Sequence, residues 1–469
     1  MDETRSAKKR IALGEDNFSK FIENNWLYVD KTRQIHSLVN EGSAYFLSRP
    51  RRFGKSLLLS ALEALFSGPP DPKGPPSGLF KDLWIGKSDF VFPERHPIIS
   101  LSMAGRGHGD EELKRTIVTS LRWIIKKENL GIETSYTGTD FSIVIEALYK
   151  KYNKEVVILI DEYEAPVSEN IKNISLALQN RDTLTDFYSG LKSAGKYTRF
   201  TFVTGVTRYA FMGLSAGLNH LDDLTLDERY ADICGFTREE LDRYFLPYLP
   251  DIARKMKNRG VLAQERTIAD LRAKILNFYD GYTWDGETKI LNPYSLLKFI
   301  KKMAFNPYWT LIGAPNDFLK SIVSNNPLDF LMDKLQNLTE KDVGVAEVGS
   351  LAPAPALFQT GYLTVESVTN TEKGAFYKLR TPNEEITPDF EKLFKDSLFA
   401  LLGKNPAHEG IKFKQILDSG DETKLTAIIT SLYSSIPAKH HRAEESFYHS
   451  ALHAYCWGIL EIPPLSEPP

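Results

Sequence analysis

Over its first half the chain alternates two hydrophobic textures. "AYFLS" (44–48), "PIISLSM" (97–103), "EVVILI" (155–160) and "RFTFVTG" (199–205) are short runs dominated by apolar and β-branched residues. Such runs suit strands covered on both faces and predict the buried strands of a parallel sheet. Between them lie longer stretches with apolar residues at helical spacing, so the expected class is α/β, a sheet layered with helices. "SGPPDPKGPPSG" (67–78) cannot continue the helix before it, because proline lacks an N–H and clashes with the preceding turn; it is expected to be a surface loop.

From about Thr237 the texture changes. "TREELDRYFLPYL" opens on a capping-box pair, Thr237 and Glu240, and leads into mostly helical sequence through about residue 345. "LNPYSLLKFI" sets Asn292 as an N-cap and Pro293 at the first helical position. The stretch 351–382 predicts a short β-hairpin, a wing following helices, and a final helical block runs from about 388 to 458.

Length and composition bound this picture. A chain of 469 residues exceeds what one hydrophobic core usually organises, so two or three domains are expected. With 58 basic against 61 acidic residues, the net charge of −3 excludes a global basic field, and any nucleic-acid contact must use local patches. Cys234 and Cys456 lie far apart and outside any CxxC pair, which argues against a disulfide framework or a cysteine zinc site and fits a reducing compartment. No run approaches the ~18 apolar residues of a membrane span, and the amino terminus lacks a signal-like apolar core. The expected location is cytoplasmic, or nuclear in a eukaryote if Lys8, Lys9 and Arg10 form an address instead of a solvated tail.

The chemistry gathers at "SRPRRFGKSLLLS" (48–60), which follows a strand and opens a helix, as a phosphate loop must. In G-x-x-x-x-G-K-[ST], backbone N–H groups wrap a phosphate, the lysine reaches its oxygens and the hydroxyl ligates Mg²⁺. Here Gly54, Lys55 and Ser56 are in register and Arg49 replaces the first glycine, at an expected backbone cost. Arg49, Arg51 and Arg52 would add three guanidinium groups beside Lys55, and with Phe53 they complete the candidate cofactor-binding loop. The alternative is a basic strand-to-helix turn with a chance GKS.

"EVVILIDEYEAP" has the form of a Walker B strand: Asp161 would hold Mg²⁺ together with Ser56, and Glu162 would polarise an attacking water. The strand 199–205 carries Thr204, a candidate γ-phosphate sensor, followed by Thr207 and Arg208, a candidate contact for transition-state charge. The bland readings are an acidic turn and a surface arginine paired with a carboxylate.

Taken together, "YVDKT" (28–32), the loop, "LIDEYEAP", "VTGVTRYA" (203–210), "CGFTREEL" (234–241), "YDGYTWDG" (279–286) and "LFQTGYLTV" (357–365) resemble the AAA-ATPase-like proteins. Many of these precede a PD-(D/E)xK nuclease-like domain, and members tolerate arginine at the first glycine position. The resemblance implies a P-loop ATPase core over 1–235, a helical extension over 236–345, a winged-helix-like piece over 346–400, and over 401–469 a helical tail with the start of a truncated nuclease-like domain. It implies ATP and Mg²⁺ as cofactors, and an ATP-hydrolysing switch or remodeller with nucleic acid as a candidate target. DNA and a second copy of the chain are candidate partners, and no membrane is expected. The alternative is a nucleotide-dependent DNA- or protein-binding module with little turnover. Near the end, Glu445 stands in the position of the nuclease helical acid, but no later aspartate and E-x-K complete the signature, so cleavage of nucleic acid is not expected. Glu445, His449 and His453 fall on one helix face, either as metal ligands or as a polar surface. Lys439, His440, His441 and Arg442 form the basic cluster a DNA partner would use.

Overall fold

A computed structural model describes residues 8–68, 78–105, 109–134, 139–171, 173–208, 218, 220–260, 267–313, 335–344, 353–436, 448, 452, 455 and 456. Its centre is a sheet of five parallel strands: β1 (Ala44–Ser48), β2 (Ile98–Ser102), β3 (Val156–Asp161), β4 (Thr198–Gly205) and β5 (Asp222–Asp223), in the order β2-β3-β4-β1-β5. The apolar runs account for the four long strands. Val157, Ile158, Phe200 and Phe202 are fully buried because helices cover both faces of the sheet. The edge strand β5 has only two residues, both aspartates, too short and too polar to leave a periodic trace.

This strand order decides where chemistry can sit. β4 lies between β1 and β3, pairing Leu47 with Thr204 and Ile160 with Val203, so the carboxyl ends of all three open onto one crevice. The helix Lys55–Phe66 leaves β1 there. Asp110–Lys127, Asp140–Tyr152 and Ile174–Ser193 supply the remaining cover.

After the sheet, β6 (Phe236–Thr237) pairs antiparallel with β7 (Ile290–Leu291). The Thr237–Glu240 capping box forms, with both reciprocal hydrogen bonds. The helix it opens is interrupted, passing through a π turn at Leu241–Phe245 and a 3-10 turn at Leu246–Tyr248 before Leu249–Asn258. Pro247 and Pro250 cannot donate the N–H bonds a continuous helix needs there. Asn292 caps the helix Pro293–Lys302 through a bond from the Ser295 N–H. These helices close around their own core, which includes Phe245, Ile275, Tyr279 and Phe299.

The hairpin is β9 (Thr364–Thr371) and β10 (Gly374–Arg380), joined on the β10 side by β8 (Leu338–Thr339). Pro353–Thr360 precedes it, and the helical block that follows is divided into Thr387–Leu401, Pro406–Ser419 and Glu422–Ser435. Phe358 and Tyr362 are buried in a cluster continuous with the core of the main sheet, while Phe376 is half-buried. Lys439, His440, His441, Arg442, Glu445, His449 and His453 lie outside the described residues.

Candidate functional site

The turn from β1 into the helix Lys55–Phe66 carries two left-handed residues, Arg52 (φ 70°) and Gly54 (φ 101°). Arg49, at the position of the usual first glycine, is not left-handed, so the expected backbone cost does not arise there. Its side chain also departs from expectation. The guanidinium, 1% exposed, turns away from the loop and donates to the carbonyl oxygens of Ser48 (2.9 Å), Thr225 (2.9 Å) and Tyr230 (3.2 Å), and its centre lies 4.0 Å from the Trp284 ring centroid. The expected trio of guanidinium groups beside Lys55 is therefore corrected: only Arg51 and Arg52 keep side chains at the mouth of the site. Phe53 is likewise buried, its ring set edge-on to Tyr282 at 4.9 Å, so it offers only backbone to a ligand.

Lys55 is buried, and its ammonium donates to the carbonyls of Arg49 (2.9 Å) and Pro50 (3.1 Å), leaving one N–H. Burial holds this lysine below the ordinary range, against the opposing pull of Asp161, Glu164 and Glu162. At the end of β3 one carboxylate gathers two hydroxyls: Ser56 Oγ donates to Asp161 Oδ2 (2.5 Å) and Thr204 Oγ1 to Asp161 Oδ1 (2.6 Å). The Glu162 N–H also donates to Asp161 Oδ1 (3.0 Å), fixing a turn in which Glu162 is left-handed (φ 50°), a conformation that costs a non-glycine residue of order 1 kcal/mol or more.

Lys55, Ser56 and Glu162 border a cleft of about 530 Å³ whose walls also include the loop from Arg51 to Gly54, the amino-terminal segment Ala12–Asp16, Cys234–Phe236, and Pro293, Tyr294 and Leu297 of the extension; Asp161 and Thr204 are not among the lining residues, and Asp161 connects to them through Ser56. The volume falls in the range of small-molecule sites. Its lining brings the cations Lys31, Arg51, Arg52 and Lys55 and the start of a helix together with the carboxylates Glu15, Asp16, Glu162 and Glu169 and with apolar Phe236, Tyr294 and Leu297. The Cys234 thiol in this wall is pushed up by burial and stays protonated.

A family model described as "Predicted AAA-ATPase" matches residues 12–215, which span the loop and β1 to β4. A protein of Azotobacter chroococcum mcd 1, described as an uncharacterized protein in the vnfD 5'region, is 30% identical over 461 residues, covering 96% of this chain and 83% of that protein. The chain belongs to the AAA-ATPase-like family. Membership implies nucleotide binding, typically with Mg²⁺.

Of the expected residues, Ser56 and Thr204 both bond Asp161, and Gly54, Lys55, Ser56 and Glu162 line the cleft. Arg208 is not among the residues bordering the cleft; its guanidinium pairs with Asp223 on β5 (2.9 Å). One residue of the neighbourhood was not anticipated. Glu164, 2% exposed, accepts the N–H groups of Val206 (2.7 Å) and Thr207 (2.9 Å) through Oε1, tying the acid turn to the segment leaving β4. Burial pushes its carboxyl up to about 7. The available signal was a third carboxylate inside an otherwise apolar "YEAPV". No helix of the described residues is long and apolar enough to cross a membrane.

Proposed function

We propose that this AAA-ATPase-like protein binds ATP with Mg²⁺ in the cleft and hydrolyses it, using the nucleotide cycle to move the extension and the carboxyl-terminal pieces against the core. The observation that carries the reading is the Asp161 carboxylate, joined to the hydroxyls of Thr204 and of Ser56, the residue after Lys55. Ser56 and Asp161 offer hard oxygen donors of the kind Mg²⁺ takes alongside phosphate and water. When bound, the ion would neutralise phosphate charge. Backbone N–H groups of the loop and the remaining Lys55 N–H would hold the phosphates, and the apolar wall of Phe236, Tyr294 and Leu297 would take the base. Glu162, partly exposed on the cleft, would accept a proton from the attacking water. Arg208 would have to leave or share Asp223 before it could act on the phosphate.

The domain division proposed is a core over 1–235, an extension over 236–345, a winged-helix-like piece over 346–400 and a helical tail beyond 401. Calorimetry with Mg²⁺ and ATP tests the assignment. Wild type should bind and Lys55→Ala should not, and equal affinity for the two would remove it.

A second reading is a nucleotide-dependent binding module with little turnover, acting on DNA or protein. Two observations favour it: two of the three Lys55 N–H groups are spent on loop carbonyls, and Arg208 is held by Asp223. Phosphate release measured with and without duplex DNA at ~50 mM salt, where phosphate contacts are strongest, separates the two.

A further inference from the structure

The outer side of the phosphate loop is held by residues far along the chain. Trp309, 1% exposed, donates its indole N–H to the carbonyl of Arg51 (3.0 Å). The indole is itself fixed: its backbone N–H donates to Glu385 Oε1 (2.9 Å), which also accepts from Ser295 Oγ (2.8 Å), and its ring meets Tyr362 edge-on at 5.5 Å. Gly361 is left-handed (φ 90°), and a Cβ there would lie 2.9 Å from Cβ of Pro50, so the end of the helix Pro353–Thr360 is pressed onto the loop.

Two residues earlier, Gln359 reaches the other half of the site. Its Oε1 accepts the N–H of Arg208 (2.9 Å), while its amide nitrogen donates to the carbonyl of Gly344 (2.9 Å). Glu164 holds the N–H groups of Val206 and Thr207, so three consecutive amides after β4 are gripped, two by the acid turn and one by Gln359. A single short element, Gln359 to Gly361, thus touches both the phosphate loop and the segment carrying Arg208.

We propose that Trp309, on the extension, and Gln359, on the winged-helix-like piece, are positioning residues through which these two pieces set the nucleotide site, Trp309 acting on the loop at Arg51 and Gln359 on the Arg208 segment. The inference rests on the nucleotide reading above. Because the two contacts address different parts of the site, their loss separates kinetically. The loop holds ground-state phosphate, so a fault there weakens binding. On that reading Arg208, once released from Asp223, would meet charge that develops during reaction, so a fault in its segment slows turnover.

Trp309→Phe keeps the ring and removes the N–H. It should raise KM and the calorimetric Kd for Mg–ATP about tenfold with kcat unchanged, the scale of one buried hydrogen bond. Gln359→Leu should lower kcat about tenfold with KM unchanged. If Gln359→Leu does not fold, Gln359→Asn keeps the amide but falls one methylene short and should show the same split. Mg–ATP should also change the indole emission of wild type and fail to change the difference spectrum once Trp309 is Phe. A merely structural role would lower the binding stoichiometry and the melting temperature with Kd, KM and per-site kcat intact, and that result overturns the proposal. Wild-type Kd retained in Trp309→Phe overturns the loop contact while leaving ATP binding standing. A wild type that binds no Mg–ATP overturns the nucleotide reading and this inference with it.

Discussion

Replacing Arg49 by glycine restores the standard first position of a phosphate loop, and on motif grounds should improve the site. The structure predicts the opposite. Arg49→Gly deletes three hydrogen bonds from a charged donor to carbonyls of buried residues, together with a cation held 4.0 Å from the Trp284 centroid. Bonds to a charged group contribute about 1.5–3 kcal/mol each and a desolvated cation–π contact about 2 kcal/mol. Opposing them is the cost of burying the guanidinium, which lowers it to about 10 yet leaves it charged at neutral pH. Among the described residues Nε finds no acceptor, so the network there is not fully satisfied. The net effect of removing one member of such a buried network is about 3–5 kcal/mol, a factor of roughly 10² to 10⁴ in the folded-to-unfolded ratio. Arg49→Lys keeps the charge but loses the fork and should fall between the two. Urea unfolding followed by tryptophan emission reads the loss directly, with calorimetry of Mg–ATP on the folded fraction. An Arg49→Gly protein as stable as wild type, or one that binds ATP more tightly, refutes the reasoning.

The remaining predictions concern pH. Burial raises both Glu164 and Glu385 to about 7, so the folded state holds protons that the unfolded state releases near 4.5. The sign follows: their contribution is complete below about pH 4.5 and is lost as pH rises through about 7, costing at most about 3 kcal/mol per group. Denaturant midpoints should therefore decline between pH 5 and 8 in wild type, and Glu385→Gln, which stays neutral while keeping an acceptor for Trp309 N–H and Ser295 Oγ, should flatten part of that decline. A midpoint that rises over this window, or a slope unchanged in Glu385→Gln, contradicts the assignment.

What could be read from sequence was what local pattern encodes. β1 to β4 were visible because each is a short run dominated by apolar and β-branched residues, although β2 alternates and leaves Ser100 and Ser102 exposed, and the loop and acid pair because each sits at a strand end. The direction of the Arg49 side chain was not visible. It depends on Thr225 and Tyr230, some 176 and 181 positions away, and on Trp284, which meet only when the chain has folded. The same holds for Trp309 on Arg51 and Gln359 on Arg208, where the residue types are ordinary core residues and only their partners carry meaning. β5 and β8, two residues each, fall below the length at which periodicity exists. The proline-broken helix after Thr237 shows a cap correctly marking a start while saying nothing of how far regular helix extends.

The most direct test of the central claim is single-turnover phosphate release from ATP in Mg²⁺ by wild type and by Glu162→Gln, with binding measured in parallel. The account predicts that Glu162→Gln binds ATP as wild type does and releases phosphate about 10² to 10⁴ times more slowly, the usual range for losing a general base. Equal rates in the two proteins would contradict it.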